Sequence, residues 1–392
     1  MRSRADGVGL DRENTVGKSL GFEKEKCLLS LLKSALWGDV DPLESIGVGE
    51  LRKTLTLARE HTVEALVAYP VVGGKVKLAC TPTSAAQRQE LVMGMLRVEQ
   101  TRRVQYERFK RILRELAALF RTNGIGYVVF KGVAVASHYQ HPFLRAMGDI
   151  DFYVQPADFE RSIDVLEREW HVKIERDETD KHYCFDWHGV RFELHHRIET
   201  FGRKRAQQEF DGWIEDVVRC QPATLDIDGE QLRVLPPVAD VVVVFKHMIN
   251  HLLVEGVGLR QVTDIAVLLA DYHGKIDVGE LHGRLRSLGY LGVFDAVVAM
   301  LDGYLGLPCA KVYSPLGKSD YRAARRLLRF VFDSGNFGRR AHAHHSDGWK
   351  KSAETAAIAF RRCLFAFGLM PGEILAFVPR RIRISIKKIF GR

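Results

Sequence analysis

The sequence predicts an α+β protein, with a small mixed-sheet core over 123–200 set between N-terminal and C-terminal helical regions. Three observations predict it. Apolar residues recur at helical spacing up to residue 121, change to strand-like alternation between 127 and 195, and return to helical spacing after 200. Turn and breaker residues sit at the changes of period, at Asn123-Gly124, His141-Pro142 and His188-Gly189. No segment repeats itself at a period on the order of 20–50 residues, which excludes a solenoid.

Residues 1–22 mix Gly, charge and polar side chains without periodicity and read as a loose terminus. A helical region over 23–122 follows, with helical spacing at Cys27–Leu32 and again from Leu51 to Ala68. A long helix is expected from Ser84 to Arg121. Its apolar stripe is Leu91, Met95, Val98, Tyr106, Phe109, Ile112, Leu116 and Phe120, Thr83 or Ser84 caps its start, and Asn123-Gly124 ends it. Tyr127–Phe130 reads as a short buried strand, followed by Lys131-Gly132 and a small-residue helix from Val133 towards Tyr139. Asp149–Val154 alternates strictly, and Pro156 opens a helix that runs to Trp170. Tyr183–Trp187 and Val190–His195 form a hairpin through His188-Gly189. The region 201–379 is mainly helical, with helices at 238–252, 259–271, 277–287, 291–305, 319–332 and 352–367, and one hairpin around Asp226-Ile227-Asp228-Gly229. Residues 380–392 are a basic tail.

Composition narrows the class. With 392 residues, 46% of them hydrophobic and 27% charged, the chain suits a folded protein of two or three domains rather than a disordered or collagen-like one. The longest apolar stretch, Val238–Phe245, is far shorter than the ~20 residues that span a bilayer, and no apolar segment follows the charged start as in a secretory signal. A cytoplasmic setting is expected. Six cysteines are spread without a CxxC pair, which suits reduced thiols better than a zinc knuckle or a disulfide framework. Six basic residues of the tail account for most of the net charge of +9 and leave +3 for the rest. That tail, with its interleaved isoleucines, suits peripheral contact with an acidic surface, although a solvated terminus is the plainer reading.

The chemistry lies in Gly148-Asp149-Ile150-Asp151-Phe152-Tyr153-Val154. On a strand, residues i and i+2 project from one face with Cα atoms ~6.5–7 Å apart. Ile150, Phe152 and Val154 bury the opposite face, so the register forces Asp149 and Asp151 out together. Two such carboxylates repel unless a cation lies between them. Mg²⁺ suits the pair, because it takes one or two carboxylates and completes its shell with water and phosphate oxygens. On the later strand Phe192 and Leu194 turn inward and Glu193 outward, a third acid if the two strands are neighbours. Three acids can hold two metals ~3.5–4 Å apart. Lys131-Gly132 stands at a strand-to-helix junction where backbone amides, a close backbone approach and a positive charge suit phosphate oxygens. Arg145 is a further candidate for the phosphates.

These residues carry a resemblance. Residues 123–200 resemble the polymerase-β-type nucleotidyltransferase superfamily, whose motif is a Gly-containing turn, a DxD strand and a distal acid. More narrowly, "VVFKGVAVASHYQHPFLRAMGDIDFYV" resembles the little-characterised bacterial nucleotidyltransferase family with an LKG turn and a GDID strand. "FELHHRI" is similar to that family's later segment with its third acid and following His, and "ADVVVVFKHMINHLLVEGVGLRQVTDIAVLL" to its helical domain. The resemblance covers about residues 75–270. The wider superfamily has Gly-Ser at the turn where this chain has Lys131-Gly132-Val133, a change that the narrower family shares. The resemblance implies transfer of a nucleoside monophosphate from an NTP such as ATP to an acceptor, with release of pyrophosphate. Asp149, Asp151 and Glu193 would be the catalytic and metal-binding acids, for Mg²⁺ or Mn²⁺, and Lys131, Gly132 and Arg145 the nucleotide contacts.

A small-molecule acceptor is favoured, because the body of the chain shows no basic face. The alternatives are a tRNA or protein acceptor, or a non-catalytic nucleotide-binding or scaffold protein that keeps the fold. Asn at 149 or 151 is expected to abolish turnover and leave the melting curve near wild type. Lys246 is a further candidate contact for triphosphate or base. His247 and His251, at i and i+4, have a zinc-like spacing but neither an HExxH arrangement nor an evident third ligand. Arg260 and Asp264 read as an intrahelical ion pair, and the histidines at 342, 344 and 345 as part of an exposed polar loop.

Overall fold

A computed structural model describes residues 22, 25–38, 43–79, 85–176, 181–220, 223–336 and 360–379. The loose terminus before Phe22, the cap at Thr83 or Ser84, the histidines at 342–345 and the basic tail lie outside the described residues.

At the centre is a six-stranded mixed sheet in the order β5-β6-β4-β3-β8-β7. Its strands are β3 (Tyr127–Phe130), β4 (Ile150–Val154), β5 (His182–Trp187), β6 (Val190–His195), β7 (Ala223–Ile227) and β8 (Glu230–Val234). β4 lies antiparallel to β3 and parallel to β6, and β8 runs parallel to β3. The hairpin expected at 226–229 therefore belongs to the same sheet as 127–195. The tight turn at His188-Gly189 closes β5 onto β6, with positive φ at both residues.

Alternation sorts the side chains of the sheet into two cores. Ile150, Phe152 and Val154 of β4 join Phe192 and Leu194 of β6 on one face. Phe109, Ile112, Leu116 and Phe120 of the long helix α4 (Ala85–Thr122) and Ile163 and Leu166 of α6 (Phe159–Trp170) cover them. The stripe read from the sequence is the buried face of α4 over its C-terminal half. Val128, Phe130 and Tyr153 face the other way, into a larger core built by helices from both ends of the chain. With both faces covered, every residue of β3 and β4 is buried.

That second core holds α1 (Lys26–Trp37), α3 (Glu64–Val72), α8 (Pro237–Val254), α9 (Leu259–Asp271), α11 (Leu291–Met300) and α13 (Lys318–Ser334). By length and apolar composition α8 could also cross a bilayer, but most of it is buried inside the protein. The remaining helices are α2 (Val48–Glu60), α5 (Gly132–Ala136), α7 (Lys204–Cys220), α10 (Val278–Leu288) and α12 (Ala310–Tyr313). Residues 360–367 and 371–379 are also helical.

Several elements differ from the sequence reading. The single helical stretch expected over Leu51–Ala68 is two helices, α2 and α3, parted at His61-Thr62-Val63. Thr62 takes a left-handed φ of 58°, and His61 is wholly buried with its ring 5.4 Å from that of Phe332. Long-range packing of His61 overrides the local helical pattern there. α7 was not anticipated, although Phe210, Trp213, Ile214, Val217 and Val218 make a clear apolar stripe. The parallel pair β1 (Ser45–Gly47) and β2 (Lys77–Ala79) is too short to show a period. The stretch expected as one helix over 291–305 ends as α11 followed by a π-helical turn at Leu301–Leu305.

Candidate active site

Strand pairing brings the three acids together. Asp149 directly precedes β4, Asp151 lies within it, and the parallel register sets Glu193 of β6 beside Asp151. Neighbouring strands lie ~4.8 Å apart, so side chains level with each other on one face must meet. One carboxylate oxygen from each of Asp149, Asp151 and Glu193 lies within 4.8 Å of the others. Three carboxylates at that spacing fit a hard divalent cation and are poorly matched to each other without one. Burial and the charges of Asp151 and Glu193 raise the Asp149 pKa above the usual carboxylate value.

Asp151 is handled differently. Burial opposes its ionisation, yet Lys131 and His195 together hold its carboxyl well below the usual range. Lys131 Nζ lies 2.8 Å from Asp151 Oδ1 and His195 Nε2 lies 3.1 Å from the same oxygen. Lys131 is itself buried, and its backbone has φ 58° and ψ −142°, a conformation rare for any residue with a Cβ. That backbone is the sharp turn from β3 into α5, continued by Gly132 at φ 35°. A strained residue at such a turn is typical of a site whose geometry the surrounding structure imposes.

The other candidates make their hydrogen bonds elsewhere than to the three acids. The guanidinium of Arg145 grips Asp264 of α9 with Nε and Nη2 at 2.8 and 2.9 Å, and Tyr139 donates to the same carboxylate at 2.8 Å. Arg145, expected at the phosphates, is buried and links the approach to β4 with α9, and Asp149 is among the charges that act on it. The carboxylate expected to pair with Arg260 inside that helix is engaged by Arg145 and Tyr139. Arg260 Nη1 reaches the Ala146 carbonyl at 3.4 Å, next to the Gly148-Asp149 backbone. Lys246 is 2% exposed, donates to Asn250 at 2.6 Å and lies over the rings of Phe201 and Tyr290. One position along α8 rotates the side chain by ~100°, and it is His247 rather than Lys246 that turns toward the sheet.

There His247 Nδ1 meets Glu199 Oε1 at 3.2 Å, Asn250 donates to Glu199 Oε2 at 2.6 Å, and Lys181 Nζ lies 3.0 Å from Glu199 Oε1. Glu199 is fully buried. Burial would raise its pKa, but Lys181, His247 and Lys131 hold it well below the ordinary value. Burial and the nearby charge of Lys131 push the His247 pKa well down. His251 Nε2 lies 3.0 Å from His247 Nε2, an adjacency of two rings with no carboxylate between them.

A family model described as an uncharacterised nucleotidyltransferase matches residues 49–306, which include the whole sheet and helices α8 and α9. The chain belongs to this uncharacterised nucleotidyltransferase family. The nucleotidyltransferase match extends well beyond the sheet on both sides, so the flanking helices are part of what defines the family. A crystal structure of an antigenic nucleotidyltransferase-like protein from Paracoccidioides brasiliensis is also similar. It is 14% identical, covers 50% of this chain and 92% of its own, and has a TM-score of 0.31. That likeness is too low to bear on the site. No curated protein matches.

In this member of the family the sequence reading noted the His that follows Glu193 but gave it no role, and it missed His182 and Glu199 near the acids. His195 had a signal, since it lies two residues beyond Glu193 on the same strand face. His182 was also within reach, because counting back through the tight turn pairs it with His195. Glu199 lies beyond the end of β6, and no periodicity marks it.

Proposed function

We propose that the protein transfers a nucleoside monophosphate from an NTP to an acceptor hydroxyl or phosphate and releases pyrophosphate, with a divalent cation bound by Asp149, Asp151 and Glu193. The convergence of these three carboxylates from adjacent strands carries the reading. The bound cation, Mg²⁺ or Mn²⁺, would neutralise the triphosphate and lower the barrier to attack. The chain's own residues then position and balance charge. Lys131 brings an ammonium to the turn where the phosphates would lie, and Gly132 lets the backbone approach them. Arg260, beside the Asp149 backbone, is a second cation on that side. Glu193, which is half-buried, would also help to take the acceptor's proton. Lys246 and Arg145 support the site from behind.

A small-molecule acceptor fits best with the near-neutral charge outside the tail. RNA binding that falls steeply with salt would move the acceptor to tRNA. ATP is the first nucleotide to test, and a cytoplasmic setting is part of the same proposal. The test is calorimetric titration of each NTP with Mg²⁺ into wild type and Asp149→Asn, followed by pyrophosphate release across acceptors. Metal-dependent binding that the variant loses supports the site. Undiminished turnover in Asp149→Asn or Asp151→Asn sinks the assignment.

A further inference from the structure

Beside the three acids lies a second donor set. His182, Glu193 and His195 each offer an atom, all within 4.8 Å of one another, and Glu193 is common to both groups. The hairpin register makes His182 and His195 directly opposed residues on β5 and β6, with ring centroids 4.8 Å apart. His182 Nδ1 and His195 Nε2 approach the same Glu193 oxygen, Oε2, at 3.4 and 3.2 Å.

The orientation of His195 is informative. Its Nδ1 lies 3.2 Å from the Arg197 carbonyl, which can only accept, so Nδ1 carries a hydrogen. Nε2 faces Asp151 Oδ1 and Glu193 Oε2, two further acceptors, so a cation must sit at that nitrogen: a proton in the metal-free protein, whose place a divalent ion can take. A metal-bound imidazole shows this pattern, with one nitrogen donating to a carbonyl and the other turned to carboxylates that share the ion. The ring is fully buried and packs edge-on to Phe130 at 4.9 Å, so it is held in this orientation.

We propose that the metal centre is a mixed carboxylate–imidazole one, in which His195 and His182 ligate a divalent cation through the Glu193 side of the site. The inference rests on the metal-dependent reading above and adds a preference to it. Nitrogen donors suit first-row transition ions, whereas Mg²⁺ takes oxygen ligands and water. The site therefore favours a first-row transition ion over Mg²⁺, and Mn²⁺, the weakest imidazole binder of that series, serves as its paramagnetic probe.

The test needs neither nucleotide nor turnover. Mn²⁺ is titrated into the full chain and followed by electron paramagnetic resonance, with pulsed detection of nitrogen coupling to the bound ion. Directly bound imidazole nitrogen is expected in wild type, weakened in His195→Gln and lost in the His182→Gln/His195→Gln double variant. Competition with Mg²⁺ should show the preference for Mn²⁺ falling by roughly tenfold or more in the double variant. Mn²⁺ bound with no nitrogen coupling in wild type overturns the inference and leaves the carboxylate site standing. Mn²⁺ that fails to bind at all overturns both. The wild-type spectrum decides even if the variants fold poorly.

Discussion

The Lys131 ammonium lies 2.8 Å from Asp151 Oδ1, and both side chains are almost completely buried. The residue read as a phosphate ligand is thus also the counter-ion of Asp151, one of the three converging acids. Removing one member of a buried pair leaves an uncompensated charge, which costs about 3–5 kcal/mol. Lys131→Met is therefore expected to lower the melting temperature in EDTA. A divalent cation should recover more of that loss in the variant than in wild type, because it replaces the missing charge. Thermal melts of both proteins with and without Mg²⁺ or Mn²⁺ check this. Equal metal-induced shifts would show that Lys131 does not act as the acid's counter-ion.

The two aspartates should differ in a way that the sequence does not reveal. From alternation alone, Asn at either position looks equally silent for stability. The structure separates them, because Asp149 is crowded by like charge whereas Asp151 is held ionised by Lys131 and His195. Asp149→Asn is expected to keep or raise the melting temperature in EDTA, and Asp151→Asn to lower it, while both abolish nucleotidyl transfer. Melts that move together by less than about 0.5 kcal/mol equivalent, the usual scatter for neutral surface changes, would contradict this.

What could be read from the sequence follows from how local the signal is. The strict alternation of Asp149–Val154 and the inward Phe192 and Leu194 gave the acid-bearing faces without knowledge of the strand order. The long stripe of α4 was equally clear. Parallel pairing of β4 with β6 is non-local, so Glu193 could be placed beside Asp151 only conditionally. Arg145 shows the limit best. Near two acids in the sequence, it looked like a phosphate ligand, and only the packing of α9 reveals Asp264 as its partner. His61 breaks the α2–α3 stretch for a similar reason, since its contacts at Phe332 are hundreds of positions away.

Arg145 and Asp264 provide a direct test of that link. Lysine keeps the charge of arginine but cannot reproduce the two parallel bonds to the carboxylate. Arg145→Lys is expected to destabilise the protein by about 1–3 kcal/mol, as for loss of a charge-assisted hydrogen bond. NTP affinity of the folded protein should stay within about twofold, well below the effect of losing a phosphate contact of that strength. Chemical denaturation and calorimetry separate the two. A loss of affinity beyond tenfold with unchanged stability would return Arg145 to the phosphates.

A pH signature is expected from Asp240, about two turns before His247 on α8. It is 1% exposed, accepts a hydrogen bond from Tyr272 at 3.0 Å, and its Oδ2 lies 4.0 Å from His138 Nε2, while His138 Nδ1 meets Asp271 at 2.9 Å. Burial raises its pKa from 3.8 to about 6, against the opposing attraction of His138. The native state therefore holds this proton more tightly than the unfolded chain does. The stabilising contribution is complete below pH 3.8 and is lost as pH rises through about 6. At 1.36 kcal/mol per unit, the loss by neutral pH is on the order of 3 kcal/mol. Asp240→Asn keeps an oxygen for the Tyr272 hydroxyl and removes the titration. Its stability relative to wild type should rise between pH 4 and pH 7 and level off above, as read by denaturant unfolding across that range. A constant difference across those pH values would mean that the Asp240 carboxyl is ionised in the native protein throughout, with His138 outweighing burial.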